Sequence, residues 1–248
     1  MDANPYALPN AMLSTTYFAT EARNATFREL WRIAPPTMGG KLLAVMVKLF
    51  RLTGPPPFGF ALKDIVRCEP MEVPELQAQS ASTITALKRL GYEPTVAMSI
   101  PLLGDGYGQA LAFLSEEPTV FAVIVQSEIR TNGNIERESG LSLVSRDSAT
   151  IWSTTSMRQK LSNPPNINAK YFPGISPEDL QARHSARLRS LPTTSLRRFN
   201  ADVLWDTLRE NELRNREFNL QRGVFRHMTV AEVEALTRTL NSRMDNHP

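Results

Sequence analysis

The sequence is poor in the residues that carry most catalytic and metal chemistry. It has 1 cysteine and 3 histidines in 248 residues. A lone Cys68 excludes an intramolecular disulfide framework and any multi-cysteine metal site, and is compatible with a reducing compartment. Asp64 and Glu69 flank that thiol in sequence and raise its pKa, and no histidine is local, so Cys68 reads as a packing residue. His184, His227 and His247 are too scattered to predict a metal centre. Neither a metal nor a cofactor is expected. There is no G-x-G-x-x-G after a strand, no Walker-type loop, no H-E-x-x-H, no nucleophile elbow and no calcium loop. Gly104-Asp105-Gly106-Tyr107-Gly108 is rich in glycine, but no helix follows it and it reads as a turn. No internal repeat and no apolar run of ~20 residues is present, which excludes a solenoid and a bilayer-spanning helix. Asp2, scattered apolar residues and the lack of a basic start argue against a secretory leader.

What is present is an ordinary folding composition, 42% hydrophobic and 21% charged, in a chain long enough to bury a full core. The net charge of +3 is unevenly placed. From Arg183 onward there are 12 Arg, no Lys and 8 acids, a balance of +4, while the remainder has 16 bases and 17 acids.

Tyr92–Ser156 organises the chain. Val96, Met98 and Ile100 alternate with Thr95, Ala97 and Ser99, the period of a strand. Tyr107, Leu111 and Phe113 then face opposite to the small Gly108, Ala110 and Ala112. Such a small face lets another element approach closely, or leaves room for a ligand. Thr119–Ile129 is apolar on both faces and predicts a central strand. Asn132-Gly133 is a hairpin signal, Ile135–Ser139 reads as loop or exposed strand, and Leu141–Ser145 and Ala149–Ser156 continue the pattern. Short connections favour antiparallel pairing. The predicted fold is α+β: an antiparallel meander of four to five strands covered by helices, with an all-helical C-terminal part. The segments are 1–74 (irregular and helical), 75–173 (the α+β core) and 174–248 (helical).

The flanking helices carry recognisable ends. Pro74–Leu90 predicts one helix stopped by Gly91. Ser176-Pro177-Glu178-Asp179 opens a helix to about Ser190, and Asn200 or Asp202 caps another to about Gln221. Thr229 and Glu232 form a capping box for a last helix with Val230, Val233, Leu236 and Leu240 inward. Near the N-terminus, Phe27–Ile33 predicts a short helix and Met38–Thr53 a strongly apolar one. Lys41, Ala44, Lys48 and Arg51 share one narrow sector of it. It is either a core helix whose basic side chains reach water, the commoner arrangement, or an interfacial helix lying on an anionic membrane.

The candidate functional residues follow from these elements. His184 shares the apolar stripe of its helix with Leu180, Leu188 and Leu191, so it is either a satisfied core histidine or a buried base for a small hydrolase. Gly108, Ala110 and Ala112 are the candidate ligand-facing set. Arg183, Arg187, Arg197 and Arg198 lie in a stretch free of acids over residues 180–200 and are the candidate anion or phosphate site. They match no nucleic-acid motif and lack interleaved aromatics. The favoured function is a non-catalytic binding module for an apolar or amphipathic ligand or a protein partner. Peripheral membrane association through residues 38–53 and hydrolysis through His184 are the alternatives. The expected setting is soluble and cytoplasmic, with a possible peripheral membrane contact, and the C-terminal helices offer a route to a homo-oligomer.

Overall fold

A computed structural model describes residues 17–34, 37–50, 66–101, 106–131, 134–192, 195–235 and 238. The chain runs β1 (Phe18–Thr20), α1 (Phe27–Ile33), α2 (Met38–Phe50), β2 (Val66–Cys68), α3 (Pro74–Gln79), α4 (Ala81–Arg89) and β3 (Tyr92–Pro101). It continues through β4 (Gly106–Ser115), β5 (Phe121–Thr131), β6 (Asn134–Arg146), β7 (Ile151–Thr155), β8 (Ile167–Tyr171), α5 (Pro177–Leu188), α6 (Ala201–Gln221) and β9 (Phe225–His227).

The alternating central sequence becomes the antiparallel meander β3 to β7. Each face of it is buried by a different set of helices. Leu111, Phe113, Ala122, Ile124, Leu141 and Leu143 pack under Leu76 of α3, Leu87 of α4 and Leu180 of α5. Met98, Ala110, Ala112, Phe121, Val123 and Val144 pack under Phe199 and Leu204, at the start of α6. Two covered faces explain why β5 is apolar on both sides: at such a strand neither side chain of an alternating pair meets water.

The sheet is larger than the predicted four to five strands, and it is mixed. β2 pairs antiparallel with β3, and β8 pairs parallel with β7, giving seven strands. β2 is only three residues long, too short to show a period. The connection over residues 156–166 is at the short end of the roughly 10–12 residues a parallel crossover requires. The charged Ile135–Ser139 stretch is strand, and Arg137 Nε bonds Glu128 Oε2 across the β5–β6 ladder at 2.7 Å. The single helix expected over Pro74–Leu90 breaks at Ser80, whose ψ of 16° lies outside the helical range. Asn132 and Gly133 lie outside the described residues, with Thr131 and Asn134 paired on either side. Gly104 and Asp105 also lie outside them.

The C-terminal part is not all-helical. β9 pairs antiparallel with β1, setting Phe18 opposite His227. A three-residue strand with a partner at the other end of the chain leaves no local signal. The Thr229–Glu232 capping box does form, with Thr229 N donating to Glu232 Oε2 at 2.9 Å and Glu232 N to Thr229 Oγ1 at 3.3 Å. Val233 is buried as expected and Val230 is exposed, while Leu236 and Leu240 lie outside the described residues.

Candidate functional site

His184 is placed by α5, which lies over β6 and β7. Ser176 caps that helix by accepting from Asp179 N at 3.1 Å, and Leu180 anchors it in the core one turn before His184. His184 is 1% exposed. Its Nε2 lies 3.1 Å from Ser145 Oγ and its Nδ1 2.9 Å from Thr154 Oγ1. Counting protons fixes the direction of these bonds. Ser145 donates its only proton to Thr119 O at 2.9 Å, so it accepts from His184 Nε2–H. With that proton on Nε2, Nδ1 of the neutral ring is an acceptor, so Thr154 donates to it while accepting from Arg187 Nη1 at 2.7 Å. Arg187 also donates to Ser153 O, and through Nη2 to Asn168 O at 2.7 Å and Asn168 Oδ1 at 2.9 Å. A neutral imidazole satisfies every partner. Burial, with the Arg187 charge second, pushes its pKa down to about 3.

A serine beside a histidine has the outline of a nucleophile and its base, but here neither reaches solvent. Ser145 is completely buried and its proton is committed to a carbonyl. The third partner is a threonine, which carries no charge to stabilise an imidazolium. The arrangement supplies structural polarity inside the core.

The small-residue face is filled. Ala110 and Ala112 are buried against the α6 side of the sheet, and Gly108 is buried in the same strand. Of the two readings of that face, close approach of another element is the one the geometry favours. The arginine stretch divides. Arg187 turns inward to Thr154 and Asn168, and Arg183 lies over the Phe172 ring at 4.6 Å. Arg197 and Arg198 are exposed where the chain passes the end of β6, with Arg197 N donating to Arg146 O at 2.8 Å. No contact gathers the four guanidinium groups into one anion-binding cluster.

The surface that stands out is the α1–α2 hairpin. Thr26 and Glu29 form a capping box that starts α1. Glu29 is fully buried and also accepts from Ser162 N at 2.7 Å and Arg222 Nη2 at 2.6 Å, which pins α1 to the end of α6. Burial alone would raise this carboxyl, but the Arg222 guanidinium and the Thr26 and Ser162 N–H groups hold it well below the carboxylate range. Ala44 and Val47 are the buried residues of α2, packed with Ala25, Leu30 and Val224. Lys41 donates to Trp31 O and lies 4.8 Å from the Trp31 ring, and Lys48 donates to Ala25 O at 2.9 Å. The sector with the lysines therefore faces α1. The opposite sector, roughly 140° wide, carries Met38, Leu42, Leu43, Met46, Leu49 and Phe50, all exposed. Met38 is 90% and Leu49 71% exposed. The preference for a buried core helix fails here, because α2 is amphipathic with its apolar side outward. α1 adds exposed Phe27, Trp31 and Ile33.

A small groove of about 170 Å³ lies between α4, β6 and the start of α5, lined in part by Thr83, Ser139, Gly140 and Pro177. Among the described residues there is no cluster of three or more His, Cys, Asp or Glu arranged to hold a metal, and no helix long and apolar enough to cross a membrane. No protein-family model matches the chain, and neither a curated protein nor a solved structure does so.

The sequence signals for these sites were uneven. His184 and Arg187 are three apart on one helix, so a shared face was readable. Thr26 and Glu29 have capping-box spacing, and that spacing was missed. Ser145 and Thr154 carry no local signal, because only sheet register brings them to His184.

Proposed function

We propose that this protein is a binding module that associates peripherally with a lipid bilayer through the α1–α2 hairpin. The observation that carries this reading is the outward orientation of the apolar side of α2. Nine of the thirteen exposed large hydrophobic side chains among the described residues belong to Phe27–Phe50. Their exposed fractions add to about five whole side chains. At ~1.5–3 kcal/mol per fully buried apolar side chain, covering them is worth roughly 7–15 kcal/mol before ordering costs and partial penetration. A folded monomer rarely leaves so large a contiguous apolar surface in water. α2 has 13 residues, too few to cross a bilayer and enough to lie along its surface. Trp31 and Phe27 fit the amphipathic zone where aromatic side chains collect.

Vesicle flotation with mixed phosphatidylcholine and phosphatidylserine tests this. The full chain floats with the vesicles, and a Leu42→Glu/Leu49→Glu variant stays at the bottom with an unchanged unfolding midpoint. A wild-type chain that floats with no vesicle composition rejects the proposal.

A further inference from the structure

We infer that the hairpin selects anionic headgroups; this rests on the bilayer reading above and adds the chemistry of the lipid. The observation is the sign of its accessible charge. Phe27–Phe50 contains four cations, Arg28, Arg32, Lys41 and Lys48, and a single carboxylate, Glu29. Glu29 is fully buried and paired with Arg222, so it offers no negative charge to the surface. None of the four cations is in a salt bridge among the described residues. Lys41 and Lys48 donate to backbone carbonyls of Trp31 and Ala25, which orient them without neutralising them. Arg28 is exposed on α1, at helical positions within about 100° of both Phe27 and Trp31, and Arg32 is half-buried one turn further on, beside Tyr171. Among the described residues of the hairpin, the accessible charge beside the apolar face is thus positive. An uncharged or zwitterionic surface leaves that charge unused, and a phosphate or carboxylate headgroup pairs with it directly.

Each Lys or Arg brought to an anionic leaflet contributes about fivefold in affinity, so two to three of them give roughly 25- to 125-fold. The experiment uses the full chain and two vesicle preparations, phosphatidylcholine alone and phosphatidylcholine with phosphatidylserine, at low and high salt. The expected result is binding at least tenfold tighter to the anionic vesicles, a preference that shrinks as salt screens the surface. An Arg28→Gln/Arg32→Gln variant brings binding on anionic vesicles down towards the level on phosphatidylcholine alone. Equal wild-type binding to both preparations at low salt overturns the inference and leaves bilayer docking standing. Binding to neither overturns both. A chain that binds neither and runs at twice 27.8 kDa by light scattering assigns the apolar face to a second copy instead.

Discussion

Replacing His184 by alanine gives the sharpest test of what the buried network does. The change leaves Thr154 Oγ–H without its acceptor and Ser145 Oγ without its donor, in a region where both hydroxyls are out of water. One unsatisfied buried polar group costs ~1–3 kcal/mol, and the void left by a large core side chain costs ~2–4 kcal/mol. These overlap, so a loss of ~3–6 kcal/mol is expected, or a fall in Tm of ~10 °C for a chain this long. The pH dependence separates this from a mere void. The unfolded histidine titrates near 6.5 and the folded one near 3, so between those values the unfolded state binds a proton that the folded state refuses. Wild-type stability is therefore full above pH 6.5 and falls as pH is lowered, at up to about 1.4 kcal/mol per pH unit. Carboxylates are common to wild type and variant, including Glu212, which burial pushes up, so the difference in slope between the two belongs to His184. Denaturant unfolding, followed by the fluorescence of the nearby Trp152, measures both quantities. His184→Ala should lower the midpoint at pH 7 and flatten the slope from 6.5 to 5. A variant with an unchanged midpoint and an unchanged slope would refute the assignment of His184 to the core.

Two further perturbations follow from the geometry, beside the vesicle experiments. Glu29→Gln removes the charge held by Arg222 and two backbone N–H groups, and should cost ~2–4 kcal/mol at pH 7 with faster hydrogen exchange at the Thr26 and Ser162 amides. Because the folded Glu29 value is depressed, its stabilisation is fully present above the ordinary 4.5 and is lost as pH falls through the folded value. The gap between wild type and variant should narrow in acid, as thermal unfolding across pH would show. Gly140→Ala places a Cβ 2.1 Å from Met157 Cγ, so it should cost ~1–3 kcal/mol, and adding Met157→Ala should recover part of that loss in the same unfolding assay.

The meander was legible because β3 to β6 run for ten or more residues each, long enough for a two-residue period to rise above composition. β2 and β9 are three residues each, and no period exists at that length. β8 is five residues long, and its parallel pairing to β7 depends on how residues 156–166 travel, which side-chain pattern does not encode. The same limit separates His184 from its partners. The helical stripe predicted that His184 turns inward with Leu180. What it meets there depends on β6 and β7 pairing with Leu143 opposite Thr154, and a shift of one residue would have presented different side chains. The arginine stretch misled for a related reason. Density along the sequence says nothing about direction, and Arg187, near its centre, points into the protein.

α2 shows the difference between knowing which residues share a sector and knowing which sector is inside. Periodicity places Lys41, Ala44 and Lys48 together and the leucines opposite, and a core helix would turn the leucines in. The structure turns them out, with the acceptors that make the reverse arrangement work supplied by α1 and the residues leading into it. Trp31 O and Ala25 O receive the two lysines, small Ala44 lets the helices approach, and buried Glu29 holds α1 against Arg222. Rotating α2 by half a turn would bury Leu42 and Leu49 against Leu30 and Val224, and would leave those carbonyls to water. The exposed fractions of the six α2 side chains add to about 3.7 whole ones, so the orientation adopted leaves roughly 6–11 kcal/mol of apolar burial unused in the isolated chain, about twice what two lysine–carbonyl bonds contribute at ~1–3 kcal/mol each. On the bilayer docking proposed above, an apolar phase outside the molecule completes the burial that the fold leaves undone. The cations of the hairpin, with its one carboxylate sealed inside, are the reason the inference drawn above assigns that phase a negatively charged surface.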